Sequence, residues 1–122
     1  MSNRNNRTQT QTEIIKGTYR RTGMGGFTEP LALRLIENRL VVVPPIRKEF
    51  SRSGNHGEYY YDANVDIMLH FEITNSGHRS VFIRCLRAPQ EVCNRVYDAA
   101  SSLWQSGGSV SAIAKALTLL QL

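Results

Sequence analysis

Four titratable side chains alternate along one predicted strand: Asp62, Asp66, His70 and Glu72. Side chains an even number of positions apart on a strand project from the same face, and a metal-dependent nuclease could use carboxylates placed in this way. No second acidic segment converges on them, so a solvated polar face that pairs with Arg84 on the next strand explains them more simply. We therefore predict no catalytic residue, no metal site and no cofactor, and expect a protein that is not an enzyme.

Two further motifs carry little chemistry. Cys85 and Cys93 are eight positions apart, which is not the spacing of a CxxC zinc or redox motif. We predict both to be small buried hydrophobic residues that stay reduced. The glycine-rich residues 23–26 lack the GK[ST] of a phosphate loop and do not open a helix, so they predict a flexible loop.

The excess of basic charge is concentrated at the N-terminus. The chain has 15 Lys and Arg against 10 Asp and Glu, and residues 1–21 hold five of the bases but one of the acids. Residues 1–12 have no apolar side chain after Met1, so they cannot offset the entropy of ordering, and we predict a flexible basic polar arm. Such arms often neutralise phosphates; a solubilising tail is the alternative.

A second candidate surface for nucleic acid surrounds three consecutive tyrosines, with Arg47 and Lys48 nearby in sequence. Aromatic rings stack on bases, and cations neutralise phosphates. Alternation sends Tyr60 to one face and its neighbours Tyr59 and Tyr61 to the other, where core or edge packing accounts for them. The residues predicted to contact RNA are Arg4, Arg7, Arg20 and Arg21 for the backbone, and Arg47, Lys48, Arg52, Tyr60 and Arg84 on the sheet.

The elements that position these side chains are strands first and helices last. Residues 13–21 predict a first strand, 22–30 a loop, 31–43 two strands broken near residue 38, and 46–52 another strand. Every second residue from Tyr59 to Ile73 is apolar, which predicts one long strand. A three-residue turn at 75–77 then makes a hairpin. Its register pairs apolar residues on one face: Phe71 with Val81, Leu69 with Ile83, and Ile67 with Cys85.

Two helices are predicted to end the chain. Pro89 suits the first turn of one helix and Gly107 its C-terminal cap, and Ser109 is predicted to cap the other. The apolar stripe of the first helix is predicted to contain Val92, Val96, Ala99 or Ala100, and Leu103. The apolar face of the second is predicted to contain Val110, Ile113, Leu117 and Leu120.

The order of elements predicts an α+β fold, an antiparallel β-sheet followed by two C-terminal helices packed on one face. Its 122 residues allow one domain. We predict an arm at residues 1–12 and a domain at 13–122, with the sheet at 13–88 and helices at 89–107 and 109–122. The chain has no apolar run of the roughly 18 residues that a membrane span needs, and no apolar stretch near Met1 that indicates a secretory signal.

The last third of the chain joins a strand, RSVFIRCLRA, to a helix, PQEVCNRVYDAASSLWQSG, and a short apolar helix, SVSAIAKALTLLQL. Residues 79–122 thereby resemble the coat proteins of single-stranded RNA bacteriophages. The resemblance implies that two chains dimerise, each laying its helices over the partner's half of one continuous sheet. The opposite face of that sheet then faces the particle interior and binds RNA. It also implies a protein of the virion, present in the host cytoplasm during assembly.

A competing resemblance is to pleckstrin-homology-like domains, carried by IKGTYRRTG, LALRLIENRLVVV and SVFIRCLRAPQEVCNRVYDAASSLW. It implies a module that binds acidic lipid heads or peptides through Lys16, Arg20 and Arg21. A coat accounts for the basic arm, the nearly neutral body and the apolar last helix together. We therefore favour a self-assembling viral coat protein that dimerises and packages single-stranded RNA, without a membrane partner.

The last helix predicts contact with another chain. Leu119, Leu120 and Leu122 cannot all face one groove of their own chain, so some should pack against a second copy. The alternative is a last helix folded onto its own sheet. The residues predicted to form the assembly interface are Val96, Leu103, Trp104, Ile113, Leu117 and Leu120.

Overall fold

A computed structural model describes residues 14–122. Seven antiparallel strands precede two helices that pack on the sheet, so the predicted α+β fold is confirmed. Arg4, Arg7 and the rest of the predicted arm lie outside the described residues. The strands are β1 (Ile15–Arg21), β2 (Phe27–Ile36), β3 (Arg39–Val43), β4 (Arg47–Phe50), β5 (His56–Tyr61), β6 (Ile67–Ile73) and β7 (Arg79–Cys85), and the helices are α1 (Gln90–Gln105) and α2 (Val110–Thr118).

The sheet divides at β2. Six strands follow the order β4-β5-β1-β2-β6-β7, and β3 also pairs with β2. Two strands share one edge of β2: β1 pairs with its residues 27–28, and β3 pairs with its residues 32–36. β6 pairs along the other edge of β2. Pro30 lies between the two pairings, and it has no N–H to donate to a ladder. Residues 15–19 of β1 therefore lie apart from β2.

Side chains of other strands satisfy the backbone of β1 where it has left β2. The N–H of Thr18 donates to Nε2 of His70 on β6, at 3.1 Å. The carbonyl of Lys16 accepts from the Arg84 guanidinium on β7, at 3.4 Å. Burial lowers the pKa of His70, and the charge of Arg84 lowers it further. The neutral imidazole is the form that can accept this hydrogen bond.

Two apolar cores lie on the two faces of the sheet. The larger core joins β2, β3, β6 and β7 to both helices, with residues such as Leu33, Phe71 and Leu117 fully buried. The smaller core lies on the other face, around Tyr61 and Met68, where burial raises the pKa of Tyr61 above its usual range. The helices therefore cover one face, and the strands β1 and β5 help to cover the other.

The structure corrects two strand predictions. β2 begins at Phe27, because residues 27–30 pair with β6, so the loop after β1 shortens to residues 22–26. The alternation from Tyr59 to Ile73 is not one strand, since β5 ends before a turn and β6 starts after it. Val65 in that turn is fully buried in the smaller core. The apolar alternation therefore continues although the backbone changes direction.

The hairpin of β6 and β7 is confirmed, with Phe71 opposite Val81 and the other two predicted pairs in register. Gly77 has the positive φ of 90° that its turn requires. The signals at Gly107 and Ser109 are confirmed as well: Gly107 has a φ of 91° beyond the end of α1, and the Ser109 side chain caps α2. Pro89 is the N-cap of α1 and precedes its first turn, and α2 ends at Thr118 instead of continuing to Leu122.

The buried stripe of α1 is rotated from the prediction. The helix buries Cys93, Val96, Ala100 and Trp104, while Leu103 stays 38% exposed. Trp104 sets this rotation, because its ring packs at 5.1 Å from Phe71 and its indole N–H donates to a β6 carbonyl. Trp104 therefore occupies the position on the sheet that the apolar pattern assigned to Leu103.

The prediction that both cysteines are buried and stay reduced is wrong, because Cys85 is exposed and both are oxidised. Cys85 at the end of β7 and Cys93 in the first half of α1 form a disulfide. The short connection between strand and helix brings their Cα atoms to 6.2 Å, within the usual range for a disulfide. The bond fixes the start of α1 to the edge strand of the sheet.

Candidate nucleic-acid interface

Four aromatic rings from four strands form one contiguous surface, which we call the aromatic surface: Tyr19, Phe27, Phe50 and Tyr59. The Tyr19 and Tyr59 rings are stacked, with centroids 5.9 Å apart and planes 5° from parallel. Phe50 meets both edge-on, at 5.6 Å and 6.0 Å, and is 48% exposed. Phe27 meets Tyr19 edge-on at 6.3 Å. Phe50 is the most exposed of the four rings, and Tyr19, Phe27 and Tyr59 are each partly exposed.

Two glycines make room for these rings on the ladder of β1 and β5. Gly17 lies opposite Tyr59, and Gly57 lies opposite Tyr19. Each tyrosine therefore faces a residue without a side chain, and the two rings meet on the diagonal, which long aromatic side chains can span. A Cβ on Gly57 would lie 2.6 Å from the ring of Phe50. Glycine at that position is what lets Phe50 join the surface.

Two cations flank the aromatic surface. Lys48 Nζ lies 4.7 Å from the centroid of Tyr59, and Arg21 Cζ lies 5.6 Å from that of Phe27. Glu29 lies near both. Burial raises the pKa of its carboxyl, and the charges of Lys48 and Arg21 act in the opposite direction. Cations beside ring faces are the arrangement that binds single-stranded nucleic acid through stacking and phosphate neutralisation.

The predicted RNA contacts divide between the two faces of the sheet. Arg21 and Lys48 join the aromatic surface. Arg20, the neighbour of Arg21, points to the other face, where its guanidinium contacts Thr28 and pairs with Glu72 at 3.4 Å. The structure therefore does not bring Arg20 together with Arg21.

The remaining predicted contacts on the sheet are occupied or lie apart. Arg47 pairs with Glu49 and stacks at 3.9 Å on the ring of Tyr60. The Tyr60 hydroxyl donates to Glu58, and this hydrogen bond raises the pKa of the tyrosine. Arg84 contacts the backbone of β1, as described above, and Arg52 is exposed in the turn between β4 and β5.

The four alternating titratable residues do not form one cluster. The Asp66 carboxylate accepts from the N–H of Leu35 at 2.7 Å, and the Asp62 carboxylate accepts from a backbone N–H of its own turn. His70 and Glu72 are held by β1. Over residues 14–122 there is no group of three His, Cys, Asp or Glu that could hold a metal ion. Asp66 therefore stabilises the turn between β5 and β6, which the alternation of apolar residues did not predict.

The residues predicted to form the assembly interface lie mostly inside one chain. Val96, Trp104, Ile113 and Leu117 are at most 2% exposed in the larger core, and Leu120 is partly buried against it. Both helices thus pack on their own sheet in this single chain. Of the apolar residues at the C-terminus, Leu119 is 76% exposed, while Leu122 packs against the larger core.

Sequence reasoning missed Tyr19, Phe27 and Phe50. Tyr19 and Phe50 each lie two residues from a predicted basic contact, and this spacing places both members of each pair on one face of a strand. The signal was therefore present as two short pairs, Tyr19 with Arg21 and Lys48 with Phe50, whereas no predicted basic contact lies within five residues of Phe27. What was absent from the sequence is the strand order that brings β4, β5, β1 and β2 side by side.

Comparisons of the chain with protein-family models, with curated proteins and with solved structures each find no match. Among the helices of residues 14–122, none is long and apolar enough to cross a membrane.

Proposed function

We propose that this protein binds single-stranded RNA and is a self-assembling viral coat subunit that packages it. The observation that supports this proposal most is the aromatic surface, on which a stacked tyrosine pair lies between Arg21 and Lys48. Bases stack on such rings without sequence preference, at about 1–3 kcal/mol per base. The basic arm, with Arg4 and Arg7, adds phosphate contacts in this proposal. Its place of action is the virion, and the host cytoplasm during assembly.

A binding module for acidic lipid heads or peptides is less well supported. That module would use Lys16, Arg20 and Arg21 together. Lys16 pairs with Glu58 at 3.6 Å and Arg20 with Glu72 at 3.4 Å, so two of the three cations already have carboxylate partners. Arg21 alone of the three flanks the aromatic surface.

Two exposed features support self-assembly. Within the described chain, β7 pairs on one edge with β6 and has no strand on the other, and Phe82 on this edge strand is 56% exposed. An unpaired edge with an exposed aromatic residue is a ready template for a strand of a second copy. Leu119 beyond α2 is a second exposed apolar contact. In this proposal a dimer forms through the sheet edges and the C-terminal helices.

The first experiment measures the size and nucleic-acid content of the purified protein, by light scattering and by absorbance at 260 and 280 nm. A coat should give a particle far larger than one chain, with nucleic-acid absorbance. A clean monomer of 13.8 kDa without nucleic acid would exclude the coat and lead to lipid and peptide binding assays.

A matched pair of variants tests the aromatic surface. Phe50→Ala removes a ring of the surface, and Tyr97→Ala removes an exposed ring on α1, away from the surface. Since loss of one stacking ring costs about 1–3 kcal/mol, Phe50→Ala should weaken binding to a labelled oligoadenylate about 5- to 150-fold. Tyr97→Ala should bind like the unaltered chain. Equal binding by both variants in fluorescence anisotropy would contradict the proposed surface.

Salt and truncation test the basic arm. Each phosphate that Arg or Lys neutralises on a single strand adds about 0.7 to the slope of log affinity against log salt. Deletion of residues 1–12, which removes Arg4 and Arg7, should leave the domain folded, reduce this slope and lower the packaged nucleic acid. An unchanged slope and an unchanged content would remove the arm from the mechanism.

A further inference from the structure

A cleft of about 770 Å³ opens beside the aromatic surface, between the loop after β1 and the connection of the two helices. Its volume falls within the range of small-molecule sites, about 300–1,000 Å³. Arg21, Phe27 and Glu29 line one side, and Arg79 and Trp104 line the other. Phe27 belongs to both the cleft and the aromatic surface, so a nucleotide strand on the rings can continue into the cleft.

Backbone forms much of the cleft wall. Five of the nine glycines of the protein line it: Gly23, Gly25, Gly26, Gly107 and Gly108. Gly25 and Gly107 have φ values near +90°, and a Cβ on Gly26 would lie 2.5 Å from Asn75. Gly23 has neither a positive φ nor a close neighbour, because a Cβ there would meet no atom within 4 Å. Walls without side chains allow a ligand to approach the backbone closely.

Glu29 is a hydrogen-bond acceptor in this cleft whose capacity the protein does not use. Its carboxylate is half-buried, and among the described residues it has no hydrogen bond and no ion pair within 4 Å. A partly buried carboxylate without donors is costly, since water reaches it less well and no protein group replaces that water. A ligand with N–H donors would supply the missing partners.

The two arginines of the cleft have different tasks. Arg79 stacks at 3.7 Å on Trp104 and donates to the carbonyls of Trp104 and Gly108, so it holds the wall together. Arg21 uses its Nε atom for the Tyr19 hydroxyl. The terminal nitrogens of Arg21 have no partner among residues 14–122, and they remain donors for a ligand.

We infer that the cleft binds a guanine base of single-stranded RNA, with Glu29 and Arg21 reading its edges and Phe27 contacting its ring. Guanine is the RNA base that presents adjacent donors, N1–H and the N2 amino group, to one carboxylate. It also presents the O6 and N7 acceptors that arginine recognises. Adenine, cytosine and uracil each lack part of this pattern. The inference rests on the proposed RNA binding and adds a preferred base to it.

Trp104 gives a direct readout, because it is the single tryptophan of the protein and lines the cleft. Its fluorescence is followed while GMP, IMP, AMP, CMP or UMP is added to the full chain. GMP should bind at least about tenfold more tightly than AMP, CMP or UMP, since none of the other three presents two adjacent donors to the carboxylate. IMP, which lacks the N2 amino group, should fall between GMP and AMP. Equal affinity for all nucleotides would overturn the inference.

Glu29→Gln is the test variant and Glu49→Gln, on an exposed strand outside the cleft, is its control. Glu29→Gln should reduce GMP affinity at least about tenfold, and Glu49→Gln should leave it unchanged. GMP affinity that survives Glu29→Gln would overturn the inference. If Glu29→Gln does not fold, the inference is tested by the order of the affinities of the unaltered chain for GMP, IMP and AMP.

Oligoadenylate binding separates the two proposals. Because the stacking surface accepts any base, the unaltered chain should bind oligoadenylate even if the cleft does not prefer guanine. Oligoadenylate binding without a preference for GMP contradicts the cleft alone. No binding of oligoadenylate, oligoguanylate or GMP contradicts both proposals.

Discussion

Replacing Gly17 by alanine should destabilise the fold, because Gly17 is where β1 passes over β2. An added Cβ would lie 2.5 Å from Cβ and 2.9 Å from Cγ of Pro30. The first distance is about 0.9 Å shorter than the 3.4 Å at which ordinary contact begins. The proline ring has no rotamer by which to turn away, and β6 pairs along its other side. The added atom must therefore displace β1.

The cost follows from overpacking. Inserting a methyl group into a well-packed site costs about 1–3 kcal/mol. Alanine recovers about 0.5–1 kcal/mol of the entropic penalty of glycine in a strand. The free energy of unfolding should therefore fall by about 0.5–2 kcal/mol. Displacement of β1 also separates the Thr18 N–H from His70, which adds to the loss.

Urea unfolding followed by circular dichroism measures this change, with Gly23→Ala as the matched control. Gly23 has neither a positive φ nor any neighbour within 4 Å of a Cβ. Its replacement should leave the stability unchanged or raise it by about 0.4–1 kcal/mol. Gly17→Ala with the stability of the unaltered chain would show that β1 is not held against Pro30, and would refute the close approach.

Three further outcomes are expected. Because burial lowers the pKa of His70, the unfolded chain binds more protons, so stability should fall as pH decreases below about 6.5; His70→Gln, which keeps an acceptor, should reduce that slope in urea titrations at pH 7 and pH 5. Replacing Cys85 and Cys93 by serine and alanine should lower the unfolding free energy by about 2.5 kcal/mol, the closure entropy of an eight-residue separation; equal stability of the reduced and oxidised chain would contradict this. Leu119→Asp should leave the monomer folded, since the side chain is exposed, but reduce particle size in light scattering; an unchanged particle would exclude Leu119 from assembly.

Leu119 is a better position than Leu117 for a substitution that tests assembly. The apolar pattern of the last helix makes Leu117 a natural choice for a charged substitution. Leu117 is fully buried in its own chain, so an aspartate there would unfold the core rather than report on contacts between copies.

Elements defined by neighbouring residues were predictable. The hairpin of β6 and β7 follows from a three-residue turn with glycine in the left-handed region and from two alternating flanks. The helix caps at Ser109 and Gly107 follow from local backbone chemistry in the same way. In each case the residues that determine the structure lie within a few positions of it.

The arrangement around β1 was not predictable, because its determinants are far apart in the chain. Thr18 and His70 are 52 positions apart, and Lys16 and Arg84 are 68 positions apart. The aromatic surface depends on the same long-range pairing. The alternation of side chains along a strand assigns each residue to a face, but it does not show which strands are neighbours.

The aromatic surface and the irregular part of the fold have the same origin. If β1 paired along all of β2, there would be no gap at Pro30, and Gly17 would not lie against the proline ring. The departure of β1 carries β5 and β4 with it, so the rings of these strands gather beside the start of β2 instead of extending one flat face. Residues that break local rules concentrate where a protein binds its ligand. Gly17 and Gly57, opposite the two stacked tyrosines, are such residues, and alanine at Gly57 should reduce RNA affinity below that of the unaltered chain.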